Sequence, residues 1–559
     1  MVNLIEKAKV QAEELIAQAA KDASASGALP EFVTLPGSIQ LSRGDGDFAS
    51  NHAMACEKPL GKPALEIAAA IVDNLRLDDT YFESAAIAGK GFINLTLSAK
   101  WYSEVIAATE NADYGRVDVG DGQRVMVEFV SANPTGPMTI GNARGGVLGD
   151  ALASVLEWAG YDVWREFYIN DVGNQVELFG QSIEARYMQI ILGEDGFEFP
   201  ENGYHGEDIR ELAQMIYERV GKKFRDFAEK ERRAEFITFA LPHNIELMRE
   251  HLMRYRIEYD CWFPESDLHN SGYVDETMNV LIEAGYTYEK EGALWLNNTA
   301  LGADKDEALR RSNGIYTYYA ADIAYHRNKF VERKFDRVID VLGADHHGHA
   351  VRFETTMSAP KLGMDDKKLD FLIMQMVRLH RGDETVKVSK RTGKALTLDN
   401  LLDEIGVDAC RFFFNAKPDS HLDFDLDLAI RQDNENPVYY VQYAHARICS
   451  LIETLAADGY AVPDDVDASL MVTPHERELI KQLAALPEEI KLAAQSLDPS
   501  RVNRYLIELA ARLHSFYTAC RIRGEDVALL SARLKLVDCV RSVIASSLSI
   551  VGVTAPESM

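Results

Sequence analysis

Two short stretches hold residue types and spacings suited to handling phosphate. The first is Asn133-Pro134-Thr135-Gly136-Pro137-Met138-Thr139-Ile140-Gly141-Asn142. It follows the β-branched, apolar run Arg124–Val130 and precedes Val147, Leu148, Ala151, Leu152, Val155 and Leu156, which recur at helical spacing. Strand, loop and helix in that order put the loop at a strand's carboxyl end, where open α/β sheets bind ligands. A helix N-terminus there offers unpaired N–H groups and a positive dipole end to phosphate. Gly141 has no Cβ, so a base or ribose could lie against its backbone. An ordinary strand-to-helix turn has much the same composition. The second stretch, Lys387-Val388-Ser389-Lys390-Arg391-Thr392-Gly393-Lys394, is dense in lysine, with Ser and Gly for flexibility. Phosphoryl and adenylyl transfer build negative charge, and mobile cations placed against that charge lower the barrier. A solvated basic loop reads the same way when taken alone.

The elements that must position these loops are legible in outline. Arg124–Val130 and Val163–Ile169 flank the helical run and its Gly160 stop, a βαβ unit that implies a parallel sheet with a right-handed crossover. Further strands are expected at Arg337–Leu342 and from Leu369 to Val377. Residues from about 180 to 310 are charged and read as a mostly helical insertion into this unit. Ahead of it, a helix over the first 20 or so residues, another near Ala64–Leu75 and a strand at Gly91–Leu97 make a small α+β domain. From Asn436 onward the pattern is wholly helical. The domains expected are therefore 1–115, 116–430 and 431–559, reasonable for 559 residues at roughly 100–200 per domain. No apolar run approaches the roughly 18 residues of a membrane span, and six scattered cysteines without a CxxC pair fit a reducing, cytoplasmic setting. The net charge of −29 argues against nucleic acid as a bulk property. Locally, Arg501–Arg541 holds eight basic residues against four acidic ones, which could be a binding face or a solvated helix surface.

Val127-Glu128-Phe129 through Asn133-Pro134-Thr135-Gly136-Pro137 and Gly141 closely resembles the first signature region of arginyl-tRNA synthetases, which are class I enzymes. That signature ends in His-x-Gly-His; here Thr139 and Asn142 take the histidine places, in the Thr-x-Gly-Asn form typical of tryptophanyl-tRNA synthetases. Lys387, Ser389 and Lys390 match the class I Lys-Met-Ser-Lys-Ser signature, with Val388 and Arg391 as changes, in the right order and at the right separation. Further matches are Gly46–Asn51, Gly91–Asn94, Tyr168–Gln175, Asn436–Arg447 and the tail Gly552–Met559, so the resemblance spans nearly the whole chain. It implies a multidomain α/β protein: a Rossmann-type parallel-sheet catalytic domain, an α+β N-terminal domain that contacts tRNA, and an all-α C-terminal anticodon-binding domain. It implies L-arginine, tRNA(Arg) and ATP with Mg2+ as substrates, no protein-bound metal, no membrane and a monomer. Arginyl-adenylate and diphosphate would form first. The 2′-hydroxyl of the tRNA's terminal ribose would then take the arginine, and tRNA would be needed for the first step too.

The resemblance also assigns residues. Thr139, Asn142, Lys387 and Lys390 would be catalytic, with the lysines on the developing pyrophosphate. Pro134, Gly136, Thr139, Gly141, Asn142, Gly343, His346, Val388, Ser389 and Lys390 would line ATP. Glu128, Tyr318 and Asp322 would face the guanidinium, and Asn133 and Asp345 the α-amino group. Chemistry agrees: a guanidinium leaving water needs carboxylates for forked hydrogen bonds, and Tyr318 and Asp322, four apart, would share a helix face. A core tyrosine and a capping aspartate would fit that spacing as well. Asp345-His346-His347-Gly348-His349 has metal-ligand residue types and resembles the Asp-His-His signature of a metal phosphoesterase family. Spacing of i, i+1 and i+3 converges poorly on one ion, and the upstream Asp-x-Asp such enzymes need is missing from its place. His346 and His349 are read instead as groups in or behind the nucleotide site. Loss of the two signature histidines leaves a different outcome open, a non-catalytic RNA-binding paralogue.

Overall fold

The computed structural model describes residues 3–42, 44–364, 366–382, 384–386, 396–416 and 420–559. The Lys387–Lys394 loop lies outside the described residues. Val125, Met126 and Val127 are all fully buried, because Arg124–Glu128 is the central strand of a parallel sheet covered on both faces. The five strands run in the order Lys368–Met374, Arg337–Gly343, Arg124–Glu128, Asp162–Ile169, Cys261–Pro264, every neighbour parallel. The chain moves outward from Arg124–Glu128 to Cys261–Pro264, then returns to the other side of its first strand. That reversal opens a crevice between the carboxyl ends at Glu128 and Gly343.

The helix Ile140–Trp158 closes one face of the sheet. Its Gly149 is required: a Cβ there would lie 2.1 Å from the Phe129 ring. The helices Tyr318–Arg327 and His347–Met357 close the other face, around Met126, Val338, Ile323 and Phe353.

Two expectations change. The stretch from 180 to 310 is helical only in its first part, where Asn174–Leu192, Glu207–Val220 and Glu229–Arg254 share a separate core around Phe179, Tyr187, Leu212 and Phe236. Beyond it, Cys261–Pro264 is the edge strand of the parallel sheet, and Thr287–Lys290, Ala293–Leu296 and Glu307–Arg310 form an antiparallel sheet. Strands of four residues are too short for periodicity to reveal. The strand expected from Leu369 to Val377 divides: Lys368–Met374 stays in the parallel sheet, while Val377–Arg381 pairs with Leu422–Asp425 and Glu384–Thr385. The fully buried Arg144 holds the bend, donating to the Gln375 carbonyl at 2.6 Å.

The N-terminal unit packs the helix Leu4–Ala25 on a four-stranded antiparallel sheet ordered Ile39–Leu41, Phe48–Ser50, Phe92–Leu97, Phe82–Ala88. The C-terminal bundle comprises Pro437–Ala457, Pro474–Ala484, Leu486–Ser496, Ser500–Ala519 and Val527–Ile550. The two meet through Lys481 and Asp47 at 2.7 Å, Arg477 and Glu83 at 3.1 Å, and the Tyr114 hydroxyl on the Leu483 carbonyl. The tail is tied to the helix Ile140–Trp158 and to the end of the helix Glu229–Arg254 by Arg411, which is fully buried, donates to the Val551, Tyr255 and Arg256 carbonyls and pairs with Asp150. Carboxylates face Arg501, Arg504, Arg512, Arg523, Arg533, Lys535 and Arg541, so the excess positive charge of that stretch is largely neutralised where it stands. Among the described residues no helix is long and apolar enough to cross a membrane.

Candidate active site

The crevice begins where the central strand stops. Arg124–Glu128 ends two residues short of the Val130 expected, because Val130 and Ser131 adopt φ of 68° and 40°. A β-branched residue at positive φ is strained, and neighbours hold it there. Tyr259 donates to the Phe129 carbonyl at 3.1 Å, and the Ser131 hydroxyl donates to Glu128 Oε1 at 3.0 Å while accepting from the Tyr168 N–H. The turn thereby fixes the Glu128 carboxylate at the mouth of the crevice.

Glu128 is the middle of three acids. Strand register places Glu166, Glu128 and Asp340 side by side on adjacent strands. Like charges so placed repel, and one helical segment answers all three. His326 Nε2 lies 2.7 Å from Asp340 Oδ2, and Lys329 Nζ lies 2.5 Å from Glu128 Oε2 and 3.2 Å from Asp340 Oδ1. Arg333 grips Glu166 with its two terminal guanidinium nitrogens. A π-helical turn, Asn328–Glu332, carries Lys329 inward. His326 Nδ1 faces the Asp322 carbonyl at 2.9 Å and so carries a proton, since a carbonyl only accepts. Burial raises the Asp340 carboxyl, but Lys329 and His326 outweigh it and hold the group down to about 2. Burial keeps Glu128 raised despite Lys329, with Asp340 adding to the rise.

Tyr318 and Asp322 share a face of the helix Tyr318–Arg327, as their spacing implies, and neither is the core residue or cap their types also allowed. Tyr318 is 69% exposed; the buried tyrosine is Tyr319, bonded to Thr356, and the cap is Thr317. Burial, reinforced by the Glu265, Glu128 and Asp340 carboxylates and partly opposed by Lys329, pushes Asp322 well above the usual carboxylate range. Carboxylates thus outnumber lysine around Asp322. His349 Nε2 lies 3.5 Å from Asp322 Oδ2, and its ring is 6.0 Å from that of Tyr318. Burial and the nearby His346, Arg352 and His326 lower His349 to about 4, so it stands there neutral. His349 therefore belongs beside Asp322, while His346 is exposed near Asp345, 3.7 Å away. Asn133 Nδ2 donates to Gln175 Oε1 at 2.8 Å.

The helix N-terminus forms the other half. Asn142 Oδ1 accepts from both the Thr139 N–H and the Thr139 hydroxyl, each at 2.9 Å, so the two residues standing in the histidine places bond to each other. Gly141 is exposed, and a Cβ there would meet only Thr139 Oγ1 at 3.7 Å, ordinary contact distance. Gly136 likewise has only Asp208 Oδ2 at 3.7 Å, Pro134 is buried with its carbonyl bonded to Asn244, and Gly343 ends its strand. Lys387, Val388, Ser389 and Lys390 fall outside the described residues, yet the chain just after them is anchored here: Thr397 bridges Thr139, and Leu398 N–H donates to the Met138 carbonyl.

Lys329, His326, Asp340 and Glu166 were not singled out from sequence. The signal that could have found the helical ones is the 4-3-4 spacing of Asp322, His326, Lys329 and Arg333, which places them along one side of successive helical turns.

A parallel sheet whose crevice joins an anionic pocket to a helix N-terminus, with a helical bundle appended, is the framework of a class I aminoacyl-tRNA synthetase. Residues 104–423 match the family described as tRNA synthetases class I (R), catalytic domain; 11–97 match the arginyl tRNA synthetase N-terminal domain and 441–559 the DALR anticodon binding domain. The chain is 51% identical to the arginine–tRNA ligase of Acetivibrio thermocellus and 49% identical to that of Ruminiclostridium cellulolyticum, each over 100% of both chains. Its fold matches Thermus thermophilus arginyl-tRNA synthetase with a TM-score of 0.72, at 22% identity over 99% of this chain and 100% of that one. The chain belongs to the arginyl-tRNA synthetase family.

Proposed function

We propose that the crevice divides its work between an amino-acid half and a nucleotide half. The activity is that of an arginine–tRNA ligase: arginine and ATP give arginyl-adenylate and diphosphate, and arginine then passes to the 3′-terminal ribose of tRNA(Arg) with release of AMP. Glu128, Asp322 and Tyr318 take the guanidinium, and Asn133 and Asp345 the α-amino group. MgATP lies along Pro134, Gly136, Thr139, Gly141, Asn142, Gly343 and His346, its triphosphate toward the helix N-terminus. Val388 and Ser389 complete that site, and Lys387 and Lys390 stabilise the leaving diphosphate. Catalysis is then positioning and charge stabilisation. The protein acts as a cytoplasmic monomer, with residues 1–115 contacting tRNA, 116–430 catalytic and 431–559 reading the anticodon.

The observation that carries this reading is the excess of carboxylates on the crevice floor, opposite a helix N-terminus in the same crevice. Such a floor suits a planar cation and rejects a neutral isostere such as citrulline. The test is charging of tRNA(Arg) under ATP with arginine, lysine or citrulline. Arginine alone should be transferred, with AMP released, and pyrophosphate exchange should need tRNA. Protein that bound tRNA but released no AMP would be the non-catalytic paralogue. Exchange without tRNA would remove the tRNA requirement, and single-turnover activation unchanged by Lys390→Ala would remove the role given to that loop.

A further inference from the structure

A buried lysine with no assigned task stands behind Glu128. Lys329 is wholly enclosed, its Nζ between Glu128 Oε2 and Asp340 Oδ1 and 4.1 Å above the Tyr325 ring. Of the three acids in register, Glu166 is saturated by Arg333, Trp164 and Tyr325, and Asp340 is held by both His326 and Lys329. Glu128 alone reaches the crevice, its side chain 13% exposed, with one oxygen on Ser131 and the other on Lys329. A lysine sealed beside two carboxylates is an expensive arrangement, and removing one partner of such a set leaves an uncompensated charge.

We propose that Lys329 is a positioning residue for arginine. It keeps Glu128 ionised and fixed against the repulsion of Asp340, so that an anionic acceptor, and not a shared proton, meets the guanidinium. It touches no substrate and acts only through Glu128. The inference rests on the reading that arginine binds against Glu128. Beyond Lys329, the titratable groups around Glu128 include Asp340, Glu166, His326, Asp322, Tyr168, Tyr259 and Tyr325. Of these, the aspartates penalise ionisation and His326 favours it. Without Lys329, burial and Asp340 would raise the Glu128 carboxyl further and make it easier to protonate.

The experiment measures arginine KM, ATP KM and kcat across pH for Glu128→Gln, Lys329→Met and Lys329→Met with Asp340→Asn. Lys329→Met should raise arginine KM by about tenfold or more, leave ATP KM within about twofold, and move the pH at which arginine KM levels off upward by about one unit. Adding Asp340→Asn removes the opposing anion and should recover part of the lost arginine affinity. A lysine needed only for packing predicts the reverse, a double variant no better than the single. Should the single variant fail to fold, the upward pH shift in the double decides the matter. If Glu128→Gln raises arginine KM while the Lys329 variants keep the unsubstituted profile, this inference is wrong and the site reading survives. If Glu128→Gln changes nothing, the site reading itself is wrong.

Discussion

The two halves of the crevice are built on opposite principles. The floor of the amino-acid half is buried, and its three acids in register are committed before substrate arrives: Glu166 to Arg333, Asp340 to His326 and Lys329, Glu128 to Ser131 and Lys329. The nucleotide half is exposed around Gly141, and the side chains of its two unusual residues, Thr139 and Asn142, bond to each other. The difference follows from what each half must do. Choosing one amino acid requires a geometry that penalises the wrong one, and in low dielectric an unpaired carboxylate supplies that penalty. Triphosphate looks the same in every ATP, so a helix dipole and mobile cations suffice, and open space lets diphosphate leave.

Substitution should therefore hurt the amino-acid half most. Asp322→Asn removes the carboxylate that burial and its acidic neighbours push well above the usual range, and arginine kcat/KM should fall by about a thousandfold, with ATP KM nearly unchanged. A loss under tenfold in steady-state kinetics would mean that the carboxylate excess is not what selects arginine. The pH dependence has a fixed sign. With its pKa raised, Asp322 holds a proton more readily in the empty site, and a guanidinium favours the ionised form, so arginine binding is linked to proton release. Arginine affinity should rise with pH until Asp322 is ionised in the free enzyme, and weaken as pH falls. Calorimetry in buffers of different ionisation enthalpy should register proton release, and proton uptake would contradict the assignment. In the nucleotide half, Asn142→Ala should raise ATP KM or lower kcat by no more than about tenfold, because Asn142 is spent on Thr139. A loss as large as that of Asp322→Asn would erase the contrast. Smallest of all, Tyr318→Phe should cost about threefold in arginine KM, since that side chain is largely exposed and still covers the ligand without its hydroxyl.

How much of this was legible follows from range along the chain. The strand before Asn133, the helix after Thr139 and the shared face of Tyr318 and Asp322 depend on neighbours within a few residues, and periodicity shows them. The pairing of Thr139 with Asn142 belongs to the same class, an N-cap and its third helical residue. Cys261–Pro264 was hidden because four residues carry no period, and its place at the edge of the parallel sheet depends on Glu166–Ile169, nearly a hundred positions earlier in the chain. The break at Gln375 was hidden because it is held by Arg144, from the helix Ile140–Trp158, more than two hundred positions earlier.

The sequence by itself determined the local elements, their order, and the two loops and the carboxylates available to chemistry, all of which are properties of residue type and short spacing. Tertiary structure alone decided which carboxylates stand together. Glu128 and Lys329 are 201 residues apart and meet only because strand register aligns Asp340 with Glu128 and a π-helical turn swings the lysine inward. A charge's partner, burial and protonation depend on that enclosure, because Coulomb energy and desolvation are set by distance and dielectric in space, which spacing along the chain does not specify.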